Sequence, residues 1–440
     1  MATTNITAPK PVVRAWTMYD WANSVYNLVI SSTIFPAYYE SMTGDGDPLT
    51  QDVVTFLGMR FDNVALYNYT LSLSFLIVAI CSPILSSIAD YKGVKKGMLR
   101  FFMILGSIGC SLLFFYGKEN LGLGLGCTML ACFGYWSSIV FYNSYLPEIA
   151  APEDRDRISA RGFSMGYIGS VILQIFSLIL IMQGSLFGID GGQGSRISFL
   201  LVGLWWFGFG NWSLSKLPKT PVSERPPGGH LLLHGYQELG KVWKQLREMS
   251  VLKRFLGSYF FYNMGVQTVM LAAPLFASSE LDIPQGNLII AILLIQLVAI
   301  VGAFLISRLS EKIGNIPAIM ACVVFWIFLC FFGYHLPVGN VNMFYVLATC
   351  VGFVMGGIQA LSRSTYSKLM PATKDTASFF SFFDVSEKLG IVIGLFLFGS
   401  LTEWTGSQRM SVLSCMTFFI FGLILLLFTL KRMRHEATHH

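Results

Sequence analysis

Apolar residues run along the 440-residue chain in long blocks, without the mixed spacing of a soluble domain. Twelve blocks are about 20 residues or longer, enough for a helix to cross the hydrocarbon core of a bilayer. They cover 15–41, 64–89, 97–117, 120–146, 158–184, 196–216, 253–279, 286–307, 315–335, 341–367, 376–401 and 409–431. This pattern predicts an all-α integral membrane protein with twelve transmembrane helices. Most links are short, the exceptions being 42–63 and 217–252, and the latter opens with PVSERPPGG and divides the spans six and six. The expected organisation is an N-terminal six-helix bundle over 1–216, a linker over 217–252 and a C-terminal six-helix bundle over 253–440. Within the linker, HLLLHGYQELGKVWKQLREM spaces apolar residues helically beside Lys241, Lys244 and Arg247. That stretch reads either as a basic amphipathic helix on the membrane surface or as a solvated connector.

Composition agrees, with 54% hydrophobic residues, 12% charged and a mean hydropathy of +0.61. Soluble domains carry about 25% charged residues. The net charge of +6 matters less than its distribution, because 25 of the 30 Lys and Arg fall on one side of a twelve-span layout. The positive-inside rule then places both termini in the cytoplasm. The first loop on the opposite side is acidic, with Asp45, Asp47, Asp52 and Asp62. Residues 1–13 are polar and lead straight into the first span, so no cleavable leader is expected. The eight cysteines lie in apolar stretches without CxxC spacing, which argues for packing roles, with no metal, cofactor or disulfide expected. Compact loops fit a bacterial inner membrane better than a vacuolar one.

Polar residues inside the blocks carry the chemistry, since an ionisable group in a span is costly to place there. The first block, YDWANSVYNLVISSTIFPAYY, holds Tyr19, Asp20, Asn23, Tyr26 and Asn27. Asp20, Asn23 and Asn27 stand at i, i+3 and i+7, on one helix face. The fourth offers Tyr135, Ser138, Tyr142, Asn143 and Tyr145; the seventh Tyr259, Tyr262, Asn263 and Gln267; the tenth Gln359 and Arg363. Tyrosine and amide walls suit a small polar solute, because they supply donors and acceptors without fixing a charge. The bland alternative for any one of them is a hydrogen bond between helices. The eleventh block contains Asp384, Glu387 and Lys388. At 1.5 Å per residue Asp384 lies about 10 Å deep, Lys388 about 16 Å and Asp20 about 9 Å, with Arg363 at comparable depth. Three readings stay open there. Asp384 and Lys388 form a structural pair, with Glu387 protonated or wet; or Asp20, Asp384 or Glu387 titrates and couples transport to protons, as in a symporter; or these charges bind the substrate, Arg363 and Lys388 its carboxylate and Asp20 and Asp384 its amine.

The halves repeat. SSIADYKGVKK after the second block matches SRLSEKIGN after the eighth, setting Asp90 against Glu311 and Gly93 against Gly314. AAPEDRDRIS after the fourth resembles LMPATKDTAS after the tenth. Corresponding loops at nearly equal offsets argue for two pseudo-symmetric bundles with a site between them near the midplane. The arrangement resembles the major facilitator superfamily, whose loop pattern is kept by Asp90, Gly93, Lys95 and Lys96, and by Leu309, Glu311, Lys312 and Gly314. Ser86 and Ser307 stand where that pattern has glycine. YDWANSVY, YNMGVQTV, GGIQALSRSTYSKLMP and FFSFFDVSEKLG are similar to the vacuolar-effluxer-like branch, which includes fungal amino-acid exporters. The resemblance implies that spans one, four, seven and ten surround the cavity, and that Asp90 and Glu311, with Gly93 and Gly314, stabilise the state closed on the cytoplasmic side. Many relatives have an acid where this chain has Met264, so no ion role is carried to that position.

These observations imply a secondary transporter of a small polar solute working by alternating access, with an amino acid or short peptide as the leading substrate. A muropeptide or sugar-conjugate permease is the alternative within transport. A non-transporting receptor or scaffold explains the polar spans less well, and no HExxH, GxSxG or Walker motif points to an enzyme or an ATP-driven pump. The expected partners are the solute, membrane lipids and protons, with no nucleic acid, for a chain acting as a monomer.

Overall fold

The computed structural model describes residues 6–44, 52–219 and 231–438. Among these, eleven helices are long and apolar enough to cross a membrane. The second to sixth spans are Asn63–Lys92, Lys95–Phe115, Leu121–Asn143, Arg155–Met182 and Gly191–Lys216. The seventh to twelfth are Ser250–Ser279, Gln285–Ile313, Asn315–Tyr334, Val341–Leu369, Thr376–Thr405 and Gln408–Thr438. The first span completes the set of twelve, and it is not one α-helix. It runs as Lys10–Val25, a π-helical Tyr26–Thr33 and then Ile34–Thr43. Two hydroxyls bond carbonyls five residues back in the wide turns: Ser32 donates to Asn27 O at 2.8 Å and Thr33 to Leu28 O at 2.7 Å. π segments inside α-helices are rare and concentrate at functional sites.

Helix ends follow local chemistry. Asp62 caps the second span by accepting from the Ala65 amide at 2.8 Å, and Asp190 with Gln193 forms a capping box at the sixth. Gly93 ends the second span at φ +67°, a conformation that suits glycine. The loop expected between the first two spans contains a β-hairpin, Val53–Phe56 paired with Met59–Asp62. Its two-residue turn, Leu57–Gly58, has positive φ at both positions, as the right-handed twist of a hairpin favours. Asp45 and Asp47 of that loop, and the PVSERPPGG stretch of the linker, lie outside the described residues.

Small residues set the packing of each bundle. A Cβ on Gly162 would stand 2.5 Å from Asp20 Oδ2, and one on Gly169 would stand 2.8 Å from Trp21 O, so the fifth span lies against the backbone of the first. The pseudo-symmetric pair, eleventh on seventh, uses Gly390 and Gly394 against Met264 and Thr268. The eighth and tenth spans touch backbone to backbone, since a Cβ on Gly302 would overlap Phe353 O and one on Gly352 would reach 2.5 Å from Ile295 O. Such contacts replace the hydrophobic driving force that lipid removes. The bundles meet along two seams, the fifth span against the eighth and tenth, and the second against the eleventh.

The linker helix, Leu231–Glu248, packs on the ends of the second, seventh and eleventh spans. It buries Val242 and Leu246 and stacks Trp243 on Phe382 with ring centroids 5.5 Å apart. Lys244 and Arg247 stay exposed on its other side.

The backbone contact at Gly302 is directly testable. Gly302→Val should overpack the eighth and tenth spans at a cost of about 1–3 kcal/mol. Thermal unfolding of purified protein should show a lower midpoint than wild type; an unchanged midpoint would contradict the close approach.

Candidate functional site

A cavity of about 220 Å³ lies between the bundles at mid-depth. The first, fourth, seventh and tenth spans supply most of its wall; the second, fifth, eighth and eleventh add Phe75, Phe163, Tyr167, Gln296 and Glu387, among others. Of the residues singled out from sequence, Asp20, Asn27, Tyr135, Asn143, Tyr259, Tyr262, Asn263, Gln267, Gln359, Arg363 and Glu387 line it. Tyr19, Asn23 and Tyr26 do not, and turn into the N-terminal bundle. Tyr26 packs at 4.7 Å from Tyr135, and Tyr19 stacks at 5.0 Å on Tyr142. The shared face read from sequence is thus split: Asp20 and Asn27, seven residues apart, return to nearly one direction, whereas Asn23 lies about 60° away at 3.6 residues per turn.

The floor of the cavity is an ion pair between bundles. Arg363 reaches Asp20 Oδ2 at 3.3 Å through both terminal nitrogens. Its Nε donates to Ser159 Oγ at 3.0 Å, Nη2 to Ser159 O at 2.9 Å and Nη1 to Asn143 Oδ1 at 3.3 Å. All five guanidinium N–H groups are thereby used. Tyr142 donates to Asp20 Oδ2 at 2.7 Å and is itself fixed by stacking on Trp16. Arg363 lies over the rings of Phe163 and Trp16 at 4.1 and 4.8 Å, a favourable setting for a desolvated cation. Matching depth offers Asp20 two candidate partners, Arg363 and Asp384, and the structure pairs it with Arg363. Asp384, the other candidate, pairs with Lys388 at 2.5 Å instead.

The second charged group sits on the wall. Lys388 is fully buried, contacts Glu387 Oε2 at 3.2 Å and lies 3.7 Å over the ring of Trp136 from the opposite bundle. Gln267 donates to Glu387 Oε1 at 2.8 Å. Trp136, Tyr167 and Ser159 carried no signal in sequence: an aromatic or serine in a span is ordinary, and their partners come from the other half of the chain.

Between this floor and the face carrying the termini, the bundles are fastened together. Asp90 accepts from the Ser378 amide at 2.7 Å and its hydroxyl at 2.8 Å, capping the eleventh span from across the seam. Lys95 pairs with Glu148 and donates to Thr376 at 2.6 Å. Arg155 donates to Ser367 O at 2.7 Å, and Ser159 to Ala360 O at 2.8 Å. Asp156 pairs with Lys368 and accepts from Asn315 at 2.7 Å. Glu311, expected as the twin of Asp90, is exposed, with no ion pair among the described residues. Asp156 occupies the corresponding seam, because it projects from the fifth span directly between the ends of the eighth and tenth. Gly314 lies beside it at φ +89°.

The opposite face is open. A cleft of about 370 Å³ shares Ser32, Pro274 and Ile292 with the cavity and continues to Ser41, Gly191 and Gln285, at the far ends of the first, sixth and eighth spans. The π segment borders both spaces, through Asn27, Leu28, Ser31 and Ser32 on one and Ser32 and Thr33 on the other.

Comparison with known proteins agrees with this architecture. The family model described as vacuole effluxer Atg22 like matches residues 8–438. YxiO of Bacillus subtilis, an uncharacterized MFS-type transporter, is 30% identical over 416 residues, 94% of each chain. Autophagy-related protein 22 of Yarrowia lipolytica is 26% identical over 88% of this chain and 79% of its own length. Among solved structures, the major facilitator transporter FucP in its outward conformation superposes with a TM-score of 0.70 at 14% identity, covering 96% of this chain and 98% of that one. The human organic anion transporter MFSD10 gives 0.65 at 12% identity over 94% and 98%. At such identities the structural matches establish the fold. With a family model spanning nearly its whole length and a relative 30% identical along 94% of it, the chain belongs to the vacuole effluxer Atg22-like family of major facilitator superfamily transporters.

Proposed function

We propose that the protein is a secondary active transporter that moves an amino acid or short peptide by alternating access, coupled to protons. The observation carrying this reading is a cavity between two bundles that is open on one face and floored by the Asp20–Arg363 pair, which joins those bundles. The concentration of Lys and Arg on the termini side supports placing that face in the cytoplasm, so the cavity opens outward. Amides from the first, fourth, seventh and tenth spans (Asn27, Asn143, Asn263, Gln267 and Gln359) supply donors and acceptors for a polar solute. Tyr262 and Tyr142 are placed differently, one on the wall and one behind Asp20. Compact loops and the 94% mutual coverage with a Bacillus relative favour a bacterial cell membrane, and the chain is read as a monomer.

Opening towards the cytoplasm requires the fastenings at that face to part together. Asp90 and Asp156 serve one seam each, so they act as gating residues. With the seams open, Asp20 and Arg363 face a water-filled cavity, where each is solvated separately. Substrate or a proton that changes the charge balance at Asp20, or in the Asp384–Glu387–Lys388 group, changes the relative stability of the two states, as coupling requires.

Two experiments test this reading. Uptake of an amino-acid and dipeptide panel into proteoliposomes should rise when a pH gradient is imposed, and Asp20→Asn and Glu387→Gln should each remove that gradient dependence. Gradient-driven uptake unchanged in both variants would end the coupling hypothesis. The second experiment reads the gate. In a background with Cys81 and Cys350 replaced by serine, Asn27→Cys should react with an impermeant thiol reagent from the outer face. Adding Asp90→Ala and Asp156→Ala removes about 1–2 kcal/mol from the closed seam and should cut that labelling by up to about tenfold. Labelling that does not fall would show that these residues do not hold the state.

A further inference from the structure

We propose that Glu387 is the cation subsite of the cavity, holding the ammonium group of an amine-bearing solute. The inference rests on the transporter reading above and specifies what its cavity selects.

It starts from a count of charges. Three carboxylates, Asp20, Asp384 and Glu387, and two bases, Arg363 and Lys388, lie on or directly behind the cavity wall. Asp20 and Arg363 neutralise one another at the floor. Lys388 is closer to Asp384, at 2.5 Å, than to Glu387, at 3.2 Å, so Glu387 carries the unmatched charge. It is also the member of its group that reaches the cavity: its side chain is 14% exposed, against 3% for Asp384 and none for Lys388. One lone pair on each Glu387 oxygen is taken, by Gln267 and by Lys388. A carboxylate has about four such positions, which leaves acceptor capacity for a third partner. A carboxylate in low dielectric whose charge its neighbours match only in part gains by taking a cation as a further partner.

A second observation points independently to a ligand. Asn263 lines the same cavity, is 5% exposed, and its amide nitrogen has no partner among the described residues. It stands one helical turn from Gln267, about 6 Å along the axis of the seventh span. A buried amide donor without an acceptor is costly, and a carbonyl or carboxylate oxygen of the solute supplies one. Arg363 does not compete for that oxygen, since all its donors are occupied. The solute is therefore recognised by its amine at Glu387 and by an oxygen acceptor at Asn263. Neighbouring apolar walls, such as Ile391 and Phe383, suit a hydrophobic side chain.

An ammonium group bound there supplies the positive charge that Lys388, shared with Asp384, leaves unmatched. The phenols of Tyr135 and Tyr259 face Glu387 from the fourth and seventh spans, and Asp384 and Lys388 lie beside it.

The test uses full-length protein in nanodiscs and three matched probes: phenethylamine, phenylalanine and 3-phenylpropionate. Calorimetry at about pH 7 reads the affinity for each probe. Both amines should bind, while the acid should not. Glu387→Gln, which keeps a partner for Gln267, should weaken amine binding at least about tenfold; Glu387→Asp should keep the preference for amine over acid. Monodisperse elution of both variants guards against misfolding. Acid bound as well as amine, neither amine bound at about 10 mM, or amine affinity unchanged in Glu387→Gln would each overturn the proposal. Flux of a non-amine solute in proteoliposomes would reject this subsite and leave the transporter reading intact, whereas absence of flux for every solute would reject that reading itself.

Discussion

The structure depends on how Asp20 and Arg363 are kept in a place where neither belongs alone. Removing a carboxylate or a guanidinium from water costs several kcal/mol per ion, and mutual attraction offsets this only where the remaining donors and acceptors are also satisfied. Here every Arg363 donor is matched, by Asp20, Asn143 and both oxygens of Ser159, and Asp20 Oδ2 also accepts from Tyr142. That arrangement needs the fifth span pressed against the first, which Gly162 permits: a Cβ at that position would stand 2.5 Å from the carboxylate and 2.9 Å from the guanidinium. Arg363 comes from the opposite bundle, so the pair is complete only while the bundles are closed on this face. A local electrostatic requirement thereby becomes a statement about global conformation.

Much of this was legible in the sequence. Twelve apolar blocks, the charge partition and the paired loops are written in residue types, and a bilayer leaves few ways to fold them. Matching depths narrowed the partner of Asp20 to Arg363 or Asp384, because an uncompensated charge in a span needs a partner at its own level; the choice of Arg363 comes from the structure. Other features carried no such signal. The π segment carries the back-bonding hydroxyls of Ser32 and Thr33, which read equally well as part of a polar α-helical face. The saturation of Arg363 depends on a serine and its backbone carbonyl, and a carbonyl looks the same at every position. Glu311 matched Asp90 within the loop repeat, yet the repeat does not encode which helix end faces it. At one seam an aspartate caps a neighbouring helix; at the other, Asp156 of the neighbouring helix reaches back.

The two charged groups on the cavity have different bonding and thus different uses. At the floor every donor of Arg363 is matched, so its guanidinium contributes to closure with no donor in reserve for a ligand. At the wall, the group of Asp384, Glu387 and Lys388 has one carboxylate more than its ammonium neutralises, and Trp136 of the other bundle covers that ammonium. A site meant to bind and release a solute needs such unmatched valence, because a fully satisfied network offers a newcomer only competition.

Placement of the fastenings also decides how the state is left. Several end on backbone groups: the Ser378 amide, the Ser367 carbonyl and the Ala360 carbonyl. The first of these lies at a helix start, where water replaces the lost bond as the seam opens. The charged partners lie either at that boundary, as with Asp90, Lys95 and Asp156, or on the wall of the cavity. No fastening is set in the lipid-facing hydrocarbon, where a broken hydrogen bond has no substitute and the cost of each unsatisfied group is several kcal/mol. The barrier to switching is therefore governed by how many bonds must part at once, and much less by the intrinsic strength of any one of them.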